Sequence, residues 1–466
     1  MNNMNMEKLR GTSNGVLVAL FIIGLIIGIG IGFATHHGGG TKTVTITKTV
    51  AANSASSVTA GTKTVTITKT ITATKAMMAS CKHCGLRGKI PIGILLPETG
   101  GLASDGRDNI KAAKLAIEDF DKFLESIGAP FRFVPIVADS GTNPRKALAA
   151  LEAMYNEYHV QVVVGTDSSW VLSGVMGFAN THHIVMISPA STSPALAKPD
   201  YIFRVVGNDL GQGKALATLI HSKGYNTVVV IFRNEAYGRG LADAFKHDFE
   251  KMYGGKVVFI PYNPEQSDFA PQVEKLASVV KKLLSEGKKV AVLLIAFDTD
   301  GINILTHASQ IPVLSKVQWF TSDALTSPAL LKAPKPVREF LLKVHMEGTF
   351  PVPAKSPLYA WFVKHFEQVY GRPPQSAYSP YAYDAAYLAC LSVVVAGQYN
   401  GKVIKEVLPI VAEHFFGVTG WKLLDKNGDL KYQKYSIWVY ACNGGKCEFK
   451  TIAMYNPTTG KITPVH

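Results

Sequence analysis

From residue 89 onward the chain alternates short apolar runs with longer amphipathic stretches. IPIGILL (90–96), RFVPIVAD (132–139), VQVVVG (160–165) and IVMISP (184–189) are compact and bounded by Gly, Pro, Ser or Asp. Apolar runs of this kind suit strands buried on both faces of a parallel sheet. Helical spacing fills 109–124 and 144–158, and further helices are expected to start at Ser169 and Pro194. The pattern then restarts. TVVVIF (227–232), KVVFIPY (256–262) and VAVLLIAF (290–297) lead into helical stretches at 238–253, 269–285 and 301–309, and another strand covers 317–321. Repeated strand–helix units predict a doubly wound α/β sheet, here two in succession. Ligands of open α/β sheets lie beyond the carboxyl ends of the strands, so two such sheets facing each other would make a cleft.

The pattern ahead of residue 89 is different. Residues 16–33 read VLVALFIIGLIIGIGIGF, uncharged throughout, with Lys8 and Arg10 just before them. This is the lower edge of the length that spans a bilayer as a helix. Basic residues on the N-terminal side favour a cytoplasmic N-terminus and place the rest of the chain outside. We expect a retained N-terminal membrane anchor over 1–34; a prepilin-like cut after Arg10 is the alternative. TKTVTITKTV (41–50) recurs as TKTVTITKTI (62–71). Its alternation would suit a strand face, yet the copies have little core to pack on. A Ser/Thr-rich extracellular stalk over 35–87 is the preferred reading.

The full chain has 466 residues, enough for two or three domains at roughly 100–200 residues each. Its formal net charge is +14, but the lysines and arginines are scattered, without a basic run interleaved with aromatics, so nucleic acid is not an expected partner. Of the 5 cysteines, Cys442 and Cys447 bracket Asn-Gly-Gly-Lys between two strand-like runs, which suggests a disulfide closing a hairpin outside the cytoplasm. Cys81 and Cys84 form a second candidate pair. A zinc site built from all of these is the alternative. Cys390 lies in an apolar helix-like stretch and reads as a buried small hydrophobe.

Candidate binding chemistry sits where strands give way to helices. In Gly165-Thr-Asp-Ser168-Ser169-Trp170 the glycine permits a tight turn, and the serines offer hydroxyls and N–H groups at a helix N-terminus. In Ser188-Pro-Ala190-Ser191-Thr192-Ser193-Pro194, Ser193 looks like an N-cap and Pro194 a first-turn proline, which leaves Ser191 and Thr192 beside free N–H groups. Together the two loops could clamp a carboxylate; ordinary helix capping is the plainer alternative. Asp323, at the end of a second-lobe strand, suits an ammonium across the cleft, or else caps the next helix.

The order of these pieces carries a resemblance. GILLPETGGLASDGRDNIKAAKLAIEDF, GTDSSW, ISPASTSP, AYGRGLADAFKHDFE, SDFAPQVEKL, SAYSPYAYDAAYLA and TGWKLLDKNGDLK occur in sequence between about residues 89 and 440. The region resembles the type I periplasmic-binding fold, specifically the branched-chain amino-acid and amide-binding proteins that serve ABC transporters. The resemblance implies two Rossmann-like lobes joined by a three-strand hinge: lobe 1 from 88–207 and 350–432, lobe 2 from 208–349 and 433–466. It implies that Ser168, Ala190 and Thr192 hold a ligand carboxylate, that Asp323 takes the ammonium, and that Tyr237 and Tyr378 line the pocket. It also implies a small-molecule ligand, an ABC transporter permease as partner, no cofactor and no enzymatic activity. Two positions depart from the branched-chain pattern. Asp105 stands where an aromatic is common in the first loop, and the strand carrying Phe297 continues into Asp298 where a tyrosine-containing loop is common. Added carboxylates at the side-chain end disfavour an apolar ligand.

Motifs for other functions are missing. The sequence has no Walker A loop, G-x-G-x-x-G or H-E-x-x-H. His182-His183 reads as packed or surface residues, and Asp425-Lys-Asn-Gly-Asp429 as a turn, because a calcium loop needs a glycine at its sixth position and a glutamate at its twelfth. The expected function is an extracytoplasmic solute-binding protein at the cell surface. The ligand-sensing domain of a receptor system is the alternative.

Overall fold

The structure is a computed structural model that describes residues 85–465 except residue 445, together with the backbone of two strands at 43–49 and 64–70. It divides into two units, residues 1–85 with 122–130, and residues 86–121 with 131–466. In the first unit, β1 (Thr43–Thr49) pairs antiparallel with β2 (Thr64–Thr70), Thr43 opposite Thr70. The threonine-rich copies thus pair with each other as strands, which their alternating β-branched residues favour. The expected anchor at 16–33 and the cysteines Cys81 and Cys84 lie outside the described residues. Among the described residues no helix is long and apolar enough to cross a membrane.

The second unit holds two sheets. The first combines β3 (Gly88–Leu96), β4 (Phe131–Asp139), β5 (Val162–Gly165), β6 (Val185–Ser188) and β7 (Ile202–Arg204) in the order β4-β3-β5-β6-β7, every neighbour parallel. β5 and β6 are buried throughout, as runs covered by helices on both faces must be. The second sheet takes β8 (Thr227–Arg233), β9 (Lys256–Tyr262), β10 (Val290–Ile295), β11 (Gln318–Thr321) and β12 (Glu347–Val352) as a parallel set ordered β9-β8-β10-β11-β12. A small ribbon of β13 (Phe416–Gly417) and β14 (Gly420–Trp421) follows in the chain. β15 (Lys434–Asn443) then returns antiparallel to β12, and β16 (Lys446–Asn456) and β17 (Lys461–Pro464) extend the edge. Cys442 lies opposite Cys447 in the β15–β16 register and is disulfide-bonded to it, so neither thiol is free for zinc. Among the described residues no cluster of His, Cys, Asp and Glu could hold a metal ion.

Two element boundaries differ from the expected ones. The first helix spans Ala103–Ser126 and begins well before residue 109. Gly106 makes this possible: a Cβ there would stand 1.9 Å from the Pro97 carbonyl oxygen, so only glycine lets the first turn lie against the end of β3. Asp298 does not continue a strand. β10 stops at Ile295, Phe297 is an N-cap, and Asp298 opens the helix Asp298–Ser309. Carboxylates at 298 and 300 favour a helix N-terminus, and Asp300 Oδ2 accepts from the Phe297 N–H at 3.4 Å.

The chain leaves the first lobe after β7, where a buried ion pair fixes its path. Arg204 donates to Asp429 from Nε at 2.6 Å and from Nη2 at 2.5 Å, and both side chains are at least 97% buried. Its Nη1 also donates to the carbonyls of Ser191 at 3.2 Å and Ser193 at 2.7 Å. The stretch from Asp425 to Asp429 is a turn: Asp425 Oδ1 accepts from the N–H groups of Asn427 at 2.8 Å and Asp429 at 3.0 Å. Arg204 therefore ties the 188–194 loop to a distant return segment. Arg204→Met leaves Asp429 buried without its cation and should cost about 3–5 kcal/mol in urea unfolding, most of it recovered when Asp429→Leu is added. A single-variant loss below about 1 kcal/mol would mean that the pair behaves as a solvated one.

Candidate ligand-binding cleft

Three exits from the first sheet build one wall. After β3, the first turn of helix Ala103–Ser126 presents Leu102, Asp105 and Asn109. After β5, Gly165 turns at φ +143°, where a Cβ would lie 2.3 Å from the Leu95 carbonyl oxygen. That turn delivers Asp167 and Ser169. After β6, Ser188 Oγ donates to the Thr166 carbonyl at 2.6 Å and accepts from the Ser191 N–H at 2.9 Å. Ser191 Oγ donates to the same carbonyl at 2.8 Å, so the two loops are knitted through Thr166.

The second sheet builds the facing wall. Beyond β8, Glu235 caps helix Ala236–Tyr253 by accepting from the N–H groups of Tyr237 at 2.8 Å and Gly238 at 3.3 Å. Tyr237 stacks on Phe297, ring centroids 5.4 Å apart. The Arg233 guanidinium lies 3.8 Å from the Phe297 ring centroid and pairs with Asp300 at 2.8 Å and Glu235 at 3.0 Å. Beyond β11, Asp323 accepts from the Tyr237 hydroxyl at 2.8 Å and from the hydroxyl of Tyr378, which comes from the other lobe. Further bonds join the walls: Ser104 Oγ donates to Asp298 Oδ2 at 2.5 Å, and Ser193 Oγ to the Ala236 carbonyl at 2.7 Å. The cavity between the walls is about 20 Å³, room for about one water. A larger ligand requires the walls to part.

The cavity is acidic. Burial, then the nearby charge of Asp298, holds the Asp105 carboxyl well above its usual range. Burial pushes Asp167 up to about 7, against the hydrogen bond its Oδ2 accepts from Asn109 Nδ2 at 2.9 Å. Asp298, lying behind this wall with Ser104 and Ser327 donating to it, is pushed up by burial to about 6. Burial likewise raises Asp323, whose tyrosine partners pull the other way. Asp209 opens helix Asp209–Ser222, fully buried; burial and the charge of Asp323 hold it well above the usual carboxylate range.

Of the residues expected at a ligand, Asp105, Ser169, Ala190, Tyr237, Phe297, Asp323 and Tyr378 line this cavity. Ser168 instead caps helix Ser169–Thr181, its Oγ accepting from the Val171 N–H at 3.4 Å. Ser191 is spent on Thr166. The N–H groups of Thr192 and Ser193 are not free either: both donate to Ser169 Oγ, each at 3.0 Å. Only a short 3-10 turn, Pro194–Leu196, follows them. Ser169 thus accepts twice, and its own O–H is left as a donor. Leu102, Asn109, Asp167 and Ala324 complete the lining and were not anticipated. Asp167 had a visible signal, an acid in a loop at the end of an apolar strand.

This chain belongs to the periplasmic binding protein family, which matches residues 89–408. The expected resemblance to the branched-chain group of type I binding proteins is borne out. An uncharacterised protein of Methanocaldococcus jannaschii is 27% identical over 396 residues, covering 80% of this chain and 91% of that protein. The Leu/Ile/Val-binding protein homolog 3 of Brucella melitensis is 30% identical over 192 residues, 41% of this chain and 51% of that one, so the match spans about half of that relative. A leucine-binding protein of Thermotoga maritima has the same two-lobed fold, with a TM-score of 0.65 at 22% identity over 79% of this chain and 99% of that one.

The raised carboxyl of Asp167 has a sign that can be measured. A folded-state value of about 7, above an unfolded value near 3.9, means that its contribution to stability is complete below pH ~4 and is lost as pH rises through 7. Asp167→Asn mimics the protonated form. Its stability relative to the parent should rise between pH 4 and pH 8, by as much as about 4 kcal/mol in urea unfolding. A difference that stays flat over that range refutes the shift.

Proposed function

We propose that this chain is the extracytoplasmic substrate-binding protein of an ABC-type importer and that its cleft closes on an amino acid. One observation carries the reading. Asp323, buried at the second-lobe wall, shares a single small cavity with Ser169 and Ala190 of the first-lobe loops. An α-ammonium satisfies the first and an α-carboxylate the second, and one zwitterion reaching both walls stabilises the closed arrangement. Asp323 takes the ammonium, exchanging tyrosine hydroxyls for a charged donor. Ser169 donates its hydroxyl to the carboxylate beside Ala190. Ser168, Ser191 and Thr192 shape the loops that hold these groups. The relatives' descriptions as leucine- and Leu/Ile/Val-binding proteins support the ligand class.

In this reading residues 16–33 anchor the chain in the cytoplasmic membrane, the threonine-rich repeats separate the lobes from that surface, Cys81 and Cys84 form a second disulfide, and a permease receives the ligand. The binding lobes carry no assigned reaction.

Purified full-length protein screened against the twenty amino acids should show thermal stabilisation by at least one, worth about 2.7 kcal/mol at a hundredfold excess over Kd. Asp323→Ala should lower the affinity for that ligand by about 2–5 kcal/mol, as expected when a buried charge pair loses one member. Ser169→Ala should cost about 1 kcal/mol, the value of one hydrogen bond. Unchanged affinity in Asp323→Ala removes the ammonium assignment.

A further inference from the structure

The inner cleft holds more carboxyl groups than a zwitterion can use. Asp105 and Asp167 come from different elements, the first turn of helix Ala103–Ser126 and the loop after β5, and converge on the same cavity. Asp105 is 7% exposed and Asp167 5%, and the Oδ1 atom of each has no hydrogen-bond partner. No lysine, arginine or histidine lines the cavity with them. Two arginines of the surrounding elements are committed elsewhere: Arg372 to Asp108, at 2.8 and 2.6 Å, and Arg233 to Asp300 and Glu235. The acidity is also local. The chain as a whole carries +14, and Arg107, Lys111, Lys114 and Lys332 line the wider groove next to this site. When ionised, each of these carboxylates keeps one buried oxygen without a donor, which is costly unless a ligand supplies the counter-charge.

We propose that the ligand is an amino acid with a second positive group on its side chain, and that Asp105 and Asp167 take this side-chain cation while Asp323 takes the α-ammonium. This rests on the amino-acid reading given above and narrows it to the basic members of that class. An apolar side chain such as leucine's would leave both orphan oxygens unpaired, which a buried site penalises more heavily than a missing methylene. A guanidinium or ammonium gives each a charged donor. Tyr237, Phe297 and Tyr378 add aromatic surface that tolerates a cation. Asp298, from the opposite lobe, is close enough to act electrostatically on Asp105, so closure adds negative potential at the end where the second cation would sit.

The test is calorimetric titration of the full-length protein at pH 8 with L-lysine, L-arginine, L-leucine, L-glutamine and 1,5-diaminopentane. We expect lysine or arginine to bind at least tenfold more tightly than leucine or glutamine, and at least tenfold more tightly than the diamine, which keeps both cations and lacks the carboxylate. Asp105→Asn and Asp167→Asn, isosteric and checked for folding by circular dichroism and thermal unfolding, should each shrink the ratio of basic to neutral affinity at least tenfold. Leucine or glutamine binding more tightly than both basic amino acids overturns this inference and leaves the amino-acid reading standing. Diamine binding equal to lysine overturns the amino-acid assignment, and binding of none of the probes by a folded protein overturns both.

Discussion

The placement of the whole cleft depends on one buried ion pair. Arg204 is the last residue of the first sheet, and its guanidinium reaches Asp429, more than two hundred residues away, and the carbonyls of Ser191 and Ser193. Charge buried this deeply is tolerated only when every donor is used. Here the donors close a three-way junction between the end of β7, the 425–429 turn and the loop carrying Ala190. The position of the first-lobe wall is therefore set by a pair that does not line the cavity. The Ser169 hydroxyl extends this order by accepting from both Thr192 and Ser193.

Around that frame the two walls are built differently. In the first-lobe wall the 188–194 loop is held by serine hydroxyls, with Ser188 and Ser169 accepting from its N–H groups. The second-lobe wall is side chain, with Tyr237 stacked on Phe297 and Arg233 lying over the same ring. Arg233 is balanced by Asp300 and Glu235 behind it and offers little charge to the cavity. The net field inside is negative, and burial rather than neighbouring charge is the leading reason the carboxyls titrate high.

Much of this architecture is legible in the amino-acid order. The helix Pro144–Tyr158 has the expected limits because Asn143 caps it, accepting from Arg145 and Lys146, and Pro144 suits its first turn. Parallel strands such as β8 are plain because burial on both faces demands apolar runs. Reading fails where tertiary contact decides. The Gly100-Gly101 and Gly106 glycines look like a long loop, yet Gly106 is required by the closeness of Pro97. Phe297 belongs to an apolar run in sequence and to a helix cap in space. The choice of Ser169 over Ser168 at the cavity depends on which residue caps the helix, and adjacent serines do not reveal that. Asp167 and Asn109 form one polar pair from positions 58 residues apart, a juxtaposition that only folding creates.

The hydrogen bond from Tyr378 to Asp323 links the lobes through the same carboxylate that a cation would occupy. On the proposed amino-acid reading, the phenol is an internal counterpart to the ligand's ammonium. When an ammonium arrives, Asp323 exchanges one donor for another and its desolvation is never left uncompensated. When the cargo leaves, the tyrosine can return to the carboxylate as the walls meet again. On that reading, unloading is the reverse of a substitution at one atom rather than the exposure of a bare buried charge.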